Sequence, residues 1–248
     1  MLPPLASGAG GFLLGAIIGS FLATLILRWP QERSVATGRS ACDHCGRTLG
    51  PLELVPILGH LMLRGKCRSC HGRIDRFHLW VELFAALIGG VSLYLLPGVT
   101  GLVVAVMGWL LVPLVLLDWR HLWLPDRLTL LLGAIGLLVA GLANGLSLMD
   151  RAIGGLVGFA SLWSIASLYR KLRLREGMGA GDPKLFGALG CWVGWAALPP
   201  LLLVAAAGLL AILIVSGRAQ NDQSQHPFGS ALGIAGFVIM AWQAAAIA

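Results

Sequence analysis

Apolar residues run through this chain in long blocks, and polar residues gather in the gaps between them. A helix needs about 20 mostly apolar residues to cross the hydrocarbon core of a bilayer. Blocks of that kind lie at about 8–27, 79–96, 100–117, 128–147, 152–169, 185–198, 199–216 and 228–247. The sixth is short and meets the seventh at Pro199-Pro200, so seven crossings is the alternative count. Small residues recur inside the blocks, such as Gly133, Gly136, Ala140 and Gly141, or Gly154, Gly155, Gly158 and Ala160. In lipid such residues let helices approach closely. The pattern predicts an all-α polytopic membrane protein with about eight transmembrane helices and one small polar module outside the membrane. The expected domains are a first transmembrane helix over 1–28, a four-cysteine module over 29–78 and a membrane bundle over 79–248.

Composition agrees. Mean hydropathy is +0.84 and only 12% of residues are charged, which excludes an ordinary soluble globular chain. The net charge of +7 would suit a nucleic-acid binder, but its distribution points to a membrane. With eight crossings, every Lys and Arg except Arg151 falls on one side of the bilayer. They lie in the gaps at 28–78, 118–127, 170–184 and 217–227. The positive-inside bias makes that side cytoplasmic and puts the N-terminus outside. The first block has no basic residue before it, and Arg28 follows it, so it is expected to stay as an anchor and not to be a cleaved signal peptide.

Four of the five cysteines form two knuckles, Cys42-Asp43-His44-Cys45 and Cys67-Arg68-Ser69-Cys70, with 21 residues between them. Paired C-x-x-C knuckles are the pattern of a tetrahedral zinc site. Thiols stay reduced in the cytoplasm, so disulfides are disfavoured there. Four protein ligands leave no open position on the metal, which makes it structural. Gly46 and Gly72 suit the tight knuckle turns. His44 and His71 are expected at the solvated surface, and Cys191 in apolar packing.

Most acidic residues, Glu82 and Asp150 among them, fit solvation or local ion pairs, and Asp150 and Arg151 are expected at the outer surface. Asp118, Asp126 and Asp182 differ, because all three fall at the cytoplasmic membrane edge. Asp118 closes the third block. Asp126 follows Pro125 and suits a helix N-cap. Asp182 precedes Pro183, which also suits a helix start. Gly179 and Gly181 flank Asp182 and would permit unusual dihedrals or close approach of another backbone, as an extended peptide would need. Asp118 and Asp182 could share one proton and activate water, the chemistry of an aspartyl protease. An ion or proton pathway, or capping with ion pairs to Lys184 or Arg120, remains open on the residues alone. A transporter would place such acids nearer the midplane, in repeated halves. The stretch Gly177–Gly181 lacks a phosphate loop's ending and no strand precedes it. Neither G-x-S-x-G nor H-E-x-x-H occurs, so serine and zinc protease readings have no anchor.

Taken in order, these elements resemble the bacterial type IV prepilin peptidases, GxGD-type aspartyl proteases of the membrane edge. Gly19-Ser20-Phe21-Leu22 with Arg28 and Pro30 is similar to the family's opening motif, and Leu63-Arg64-Gly65-Lys66-Cys67 to its LRGKC stretch. Asp118 with Leu124-Pro125-Asp126 resembles its paired element. Gly179–Asp182 with Lys184-Leu185 is similar to GxGDxKL, and Pro227-Phe228-Gly229 to the late PFG motif. Three positions depart from the pattern: Ala23 and Leu54 where the family has Asn, and His78 where it has Pro.

The resemblance implies an enzyme that removes the basic leader from type IV prepilins or type II secretion pseudopilins, on the cytoplasmic face of the bacterial inner membrane. Asp118 and Asp182 would be catalytic, Gly179, Gly181 and Lys184 would form the active-site loop, and Cys42, Cys45, Cys67 and Cys70 would hold zinc. Methylation of the new N-terminus from S-adenosylmethionine is implied as a second activity; a protease without it is the alternative. Expected partners are these substrates and membrane lipids, with no nucleic acid.

Overall fold

Lipid offers no water to satisfy a backbone, so a chain this apolar is restricted to helices or closed barrels. The computed structural model describes residues 3–34, 40–42, 44–173, 178–216 and 226–247. Arg39, Asp43, Arg175, Glu176, Gly177, Arg218 and Asp222 lie outside the described residues. The helices are α1 (Pro4–Arg28), α2 (Leu58–Met62), α3 (Arg76–Leu95), α4 (Val99–His121), α5 (Asp126–Val139), α6 (Gly141–Asn144), α7 (Leu148–Arg173), α8 (Asp182–Val193), α9 (Leu198–Val215) and α10 (Phe228–Ala245). Three 3₁₀ turns lie at Trp29–Gln31, Pro51–Leu54 and Trp195–Ala197. Among the described residues there is no β-strand, only isolated bridges at Ala41–Thr48 and Lys66–Arg73. The protein is an all-α polytopic membrane protein.

Each of the eight expected blocks is built on a helix, but six helical segments are long and apolar enough to cross a bilayer among the described residues. The exceptions are the fourth and sixth blocks. The fourth breaks into α5, of 14 residues, and α6, which ends at Gly145 with φ of 67°. The sixth yields only the 12 residues of α8, stopped at Gly194 with φ of 76°. At 1.5 Å per residue α8 reaches about 18 Å, short of the roughly 30 Å hydrocarbon core.

The chain forms two compact units, residues 1–98 and 99–248, divided after α3. In the first unit, α1 lies along α3. Gly11, Gly15 and Gly19 repeat every fourth residue and present one bare stripe. A Cβ at Gly11 would lie 2.3 Å from Gly89 O, one at Gly15 2.2 Å from Ala85 O, and one at Gly19 2.7 Å from Glu82 Cα. The backbones touch, which is how helices gain dispersion energy where water exclusion offers nothing.

In the second unit α8 is the centre. All of its residues are buried except Lys184 and Cys191, and α5, α7 and α10 pack against it. Glycines again set the spacing, since a Cβ at Gly190 would lie 2.2 Å from Gly154 O. The carbonyls that a short helix leaves open are capped by side chains. Asn144 Nδ2 donates to Trp192 O at 2.8 Å, and Gln243 Nε2 donates to Val193 O at 3.0 Å. Trp192 Nε1 donates to Leu132 O at 2.9 Å, tying α8 to α5.

Arg151 corrects the expectation of a solvated surface residue. It is buried, and its guanidinium donates to Leu137 O at 2.6 Å and Gly136 O at 3.3 Å in the last turn of α5. A cation there suits the negative end of the helix dipole. Asp150 keeps a local role, accepting from Ser147 Oγ at 2.6 Å while its own N–H donates back to Ser147 Oγ at 3.1 Å. These caps collect the C-terminal ends of α5, α8 and α10 and the start of α7 at one end of the unit.

Gly190→Val drives a side chain into the α7 backbone and is expected to cost about 1–3 kcal/mol. A lowered thermal midpoint in detergent reads this. Gly208→Ala, at a site with nothing within 4 Å of an added Cβ, serves as the control and leaves the midpoint nearly unchanged.

Candidate functional site

The other end of the second unit gathers the last turn of α4 and the first turns of α5, α8 and α10. Asp118 sits in that last turn of α4 and is buried. A buried carboxylate needs donors, and the start of α10 supplies them. Ser230 N–H donates to Asp118 Oδ2 at 2.6 Å, and Ser230 Oγ lies 2.9 Å from the same oxygen. The hydroxyl has a second acceptor, Val115 O, also at 2.9 Å.

Asp182 is the first residue of α8 and is buried as well. Its Oδ2 accepts from Gly179 N–H at 3.2 Å. Both acids lie at this one end of the unit, Asp118 in the last turn of α4 and Asp182 at the first residue of α8. Each acid is thus fastened through Oδ2. Among the described residues nothing donates to either Oδ1, which leaves one oxygen of each acid for water or substrate.

Leu124 wedges the segments together. A Cβ on Gly181 would lie 2.7 Å from Leu124 Cβ. One on Gly229 would lie 2.8 Å from Leu124 Cδ1 and 3.1 Å from Asp118 Cγ. The buried Leu124 side chain therefore occupies the space that two glycines leave, one before each acid's supporting helix turn. This revises the expectation that Gly181 opens room for a peptide or an unusual dihedral. Its φ of −80° is ordinary, and Leu124 fills the room.

The capping expectations for the acids also change. Pro125 and Gly181 hold the N-cap positions of α5 and α8, and neither helix start receives a side-chain cap bond. Asp126 instead accepts from Lys184 Nζ at 2.7 Å, an exposed ion pair joining the starts of α5 and α8. Asp118, Asp182, Gly179 and Gly181 thus meet at one place, while Lys184 engages Asp126 at its rim. Ser230 and Leu124 are the site residues that sequence reasoning left unassigned. Both adjoin motifs already singled out, Pro227-Phe228-Gly229 and Pro125-Asp126, but their contacts cross 112 and 57 positions of chain (Ser230 to Asp118, and Leu124 to Gly181).

The four cysteines of the first unit also converge. Each knuckle is a small backbone loop. Cys42 N–H donates to Arg47 O and Gly46 N–H to Cys42 O, while Cys67 N–H donates to Gly72 O and His71 N–H to Cys67 O. Gly46 adopts φ of 68°. Gly72 is needed for space instead, because a Cβ there would lie 2.6 Å from the His44 ring. The sulfurs of Cys42, Cys45, Cys67 and Cys70 lie within 4.8 Å of one another. Tetrahedral zinc–thiolate bonds of about 2.3 Å require sulfurs about 3.8 Å apart, and Cys42 Sγ lies 3.8 Å from Cys70 Sγ. Backbone hydrogen bonds from Cys70 and Ser69 pull the Cys67 thiol down to about 6, while desolvation and the neighbouring thiols push the Cys70 thiol up to about 11. The set fits one metal ion. Glu53 braces the first knuckle by pairing with Arg47 and accepting from Gly50 N–H at 2.7 Å.

Comparison with known proteins gives the same division. Residues 13–96 match the model of the bacterial peptidase A24 N-terminal domain, and residues 104–216 that of the type IV leader peptidase family. The chain is 36% identical to a prepilin leader peptidase/N-methyltransferase of Aeromonas hydrophila over 93% of its own length and 89% of the relative's. It is 34% identical to one of Pseudomonas aeruginosa over 96% and 91%. A Burkholderia pseudomallei protein of the same name is 35% identical over 92% and 83%. No solved structure matches the chain.

Replacing Cys42 and Cys45 together by Ser is expected to remove the metal, read as zinc per protein by elemental analysis of the purified chain. Unchanged zinc content would refute the four-thiolate site.

Proposed function

The chain belongs to the type IV leader peptidase family, and on that premise we propose that Asp118 and Asp182 are the catalytic pair of a membrane aspartic endopeptidase. Its substrates are type IV prepilins or type II secretion pseudopilins, whose leader peptide it removes. The observation that carries this reading is the pairing itself. Two buried carboxylates from distant segments are brought to one end of the unit around Leu124, and each is held by one oxygen.

The pair shares one proton, because two neighbouring carboxylates in a partly dry pocket resist ionising together. Asp118, with two donors directed at one oxygen, is the better-stabilised anion of the two. Its free oxygen takes a proton from water as that water attacks the scissile carbonyl. The protonated Asp182 donates toward the carbonyl oxygen, which becomes the hydroxyl of the tetrahedral intermediate. Collapse of that intermediate breaks the C–N bond, and the departing amine takes up a proton from the pair. Such acid–base assistance is worth about 10²–10⁴-fold. The substrate must unwind at the cut, since a helical amide is hydrogen-bonded and shielded.

The basic residues near the membrane edge favour a cytoplasmic location for both sites in the bacterial inner membrane. Cys42, Cys45, Cys67 and Cys70 hold a structural zinc ion, which stiffens a module too small to support a large core. The relatives' names carry a second activity, and we extend it to this chain as N-methylation of the newly exposed N-terminus, with S-adenosylmethionine as methyl donor.

With a purified prepilin, Asp118→Asn and Asp182→Asn are each expected to lower cleavage at least about 100-fold while zinc content stays unchanged. Full activity in either variant removes that acid from the mechanism. Ser230→Ala deletes a charge-assisted hydrogen bond worth about 1.5–3 kcal/mol, so kcat falls roughly 10- to 100-fold, and Ser230→Thr restores most of it. Mass spectrometry of the product reads the new N-terminus and the added methyl group together.

A further inference from the structure

Residues 51–63 belong by sequence to the polar module, yet they carry a dense apolar surface. Leu52 is 73% exposed and Met62 74%, and Leu54, Leu58 and Leu61 are exposed as well. Leu58, Leu61 and Met62 share one face of α2, at positions i, i+3 and i+4. The Pro51–Leu54 turn packs closely under α2, since a Cβ at Gly59 would lie 2.5 Å from Glu53 O. Five large apolar side chains in one short segment are not the surface of a water-facing loop.

A tether sets the depth of this segment. Ile57 N–H donates to Glu82 Oε2 at 2.7 Å. Glu82 was expected to be solvated or ion-paired, but it is buried, on the face of α3 that meets Gly19 of α1, and its partner is a backbone N–H. It lies six residues into α3, about 9 Å along the axis from Arg76. Ile57 adopts φ of 62°, a costly conformation for a β-branched residue, so the bond to Glu82 holds the segment there against strain. Beside Glu82, α3 exposes Trp80 (57%) and Phe84 (56%), side chains that suit the boundary and the interior of a bilayer. The segment is therefore pinned at a level where α3 already presents an apolar surface. Its C-terminal flank carries the exposed cations Arg64, Lys66, Arg68, Arg73 and Arg76.

An apolar face, a basic flank and a fixed depth together define an interfacial membrane element. We propose that residues 51–63 lie in the bilayer surface, in the leaflet where α1 ends and α3 begins, and that their partner is anionic phospholipid. Leu58, Leu61 and Met62 enter the acyl boundary, and Arg64, Lys66 and Arg68 meet the headgroups. The metal-binding knuckles are thereby moored to the membrane between two helices and not suspended above it. This inference is independent of the catalytic reading.

The test uses the full-length, zinc-loaded protein in vesicles of phosphatidylethanolamine and phosphatidylglycerol. A benzophenone amino acid replaces Met62, or Leu58 in a second variant, with zinc content as the check on folding. Irradiation is expected to give protein–phospholipid adducts by mass spectrometry, at a yield that falls when phosphatidylglycerol is omitted. Adducts only to residues 99–248, or only to an added prepilin, would overturn the proposal, as would the absence of lipid adducts at both positions. A yield indifferent to phosphatidylglycerol would overturn its headgroup half.

Discussion

A polar group inside a bilayer must find its partner within the protein, and α8 is where this chain meets that demand most severely. A helix of 12 residues cannot carry both its ends to water across the hydrocarbon core. Its carbonyl end is satisfied by Asn144 and Gln243, and the turn before it supplies a backbone donor to Asp182. Because α8 is enclosed by α5, α7 and α10, its first residue is held inside the protein. The shortness of α8 and the burial of Asp182 are two consequences of one arrangement.

Close approach makes the arrangement rigid. Gly154 and Gly190 let α7 and α8 touch backbone to backbone, and Gly181 and Gly229 admit Leu124 between the acid-bearing segments. None of these contacts is strong alone, since dispersion between atom pairs is worth only about 0.1–0.2 kcal/mol each. They act collectively, holding the two acid-bearing segments against one another. The Lys184–Asp126 ion pair is different in kind. Both partners are exposed, so its energy is small, and it joins two helix starts without entering the carboxylate pocket.

The first unit solves a separate problem. A module of this size has little core, and its order comes from two knuckles that bring four sulfurs together and from tethers such as Glu53 and Glu82. Glu82 does two jobs at once, lying under the Gly19 contact of α1 and holding Ile57. A charged side chain that looks superfluous at the start of a membrane helix is the anchor of a loop.

Helices, their order and the two cysteine knuckles were legible because each depends on residues near one another in the chain. Apolar blocks mark the helices, and C-x-x-C spacing marks a knuckle whatever the rest of the fold does. The two acids stood out because carboxylates are rare in such blocks, but their meeting was a matter of tertiary structure. So were Ser230 on Asp118 and Leu124 against Gly181, contacts between segments that no local period relates. Sequence also misjudged Arg151 as an outer-surface residue and Glu82 as solvated or ion-paired, since a charge looks alike in a loop and in a buried cap until its carbonyl or N–H partner is known. It overran α8 for a related reason. Apolar composition measures what can dwell in lipid, while the end of a helix is set by which neighbouring side chains arrive to satisfy its last carbonyls.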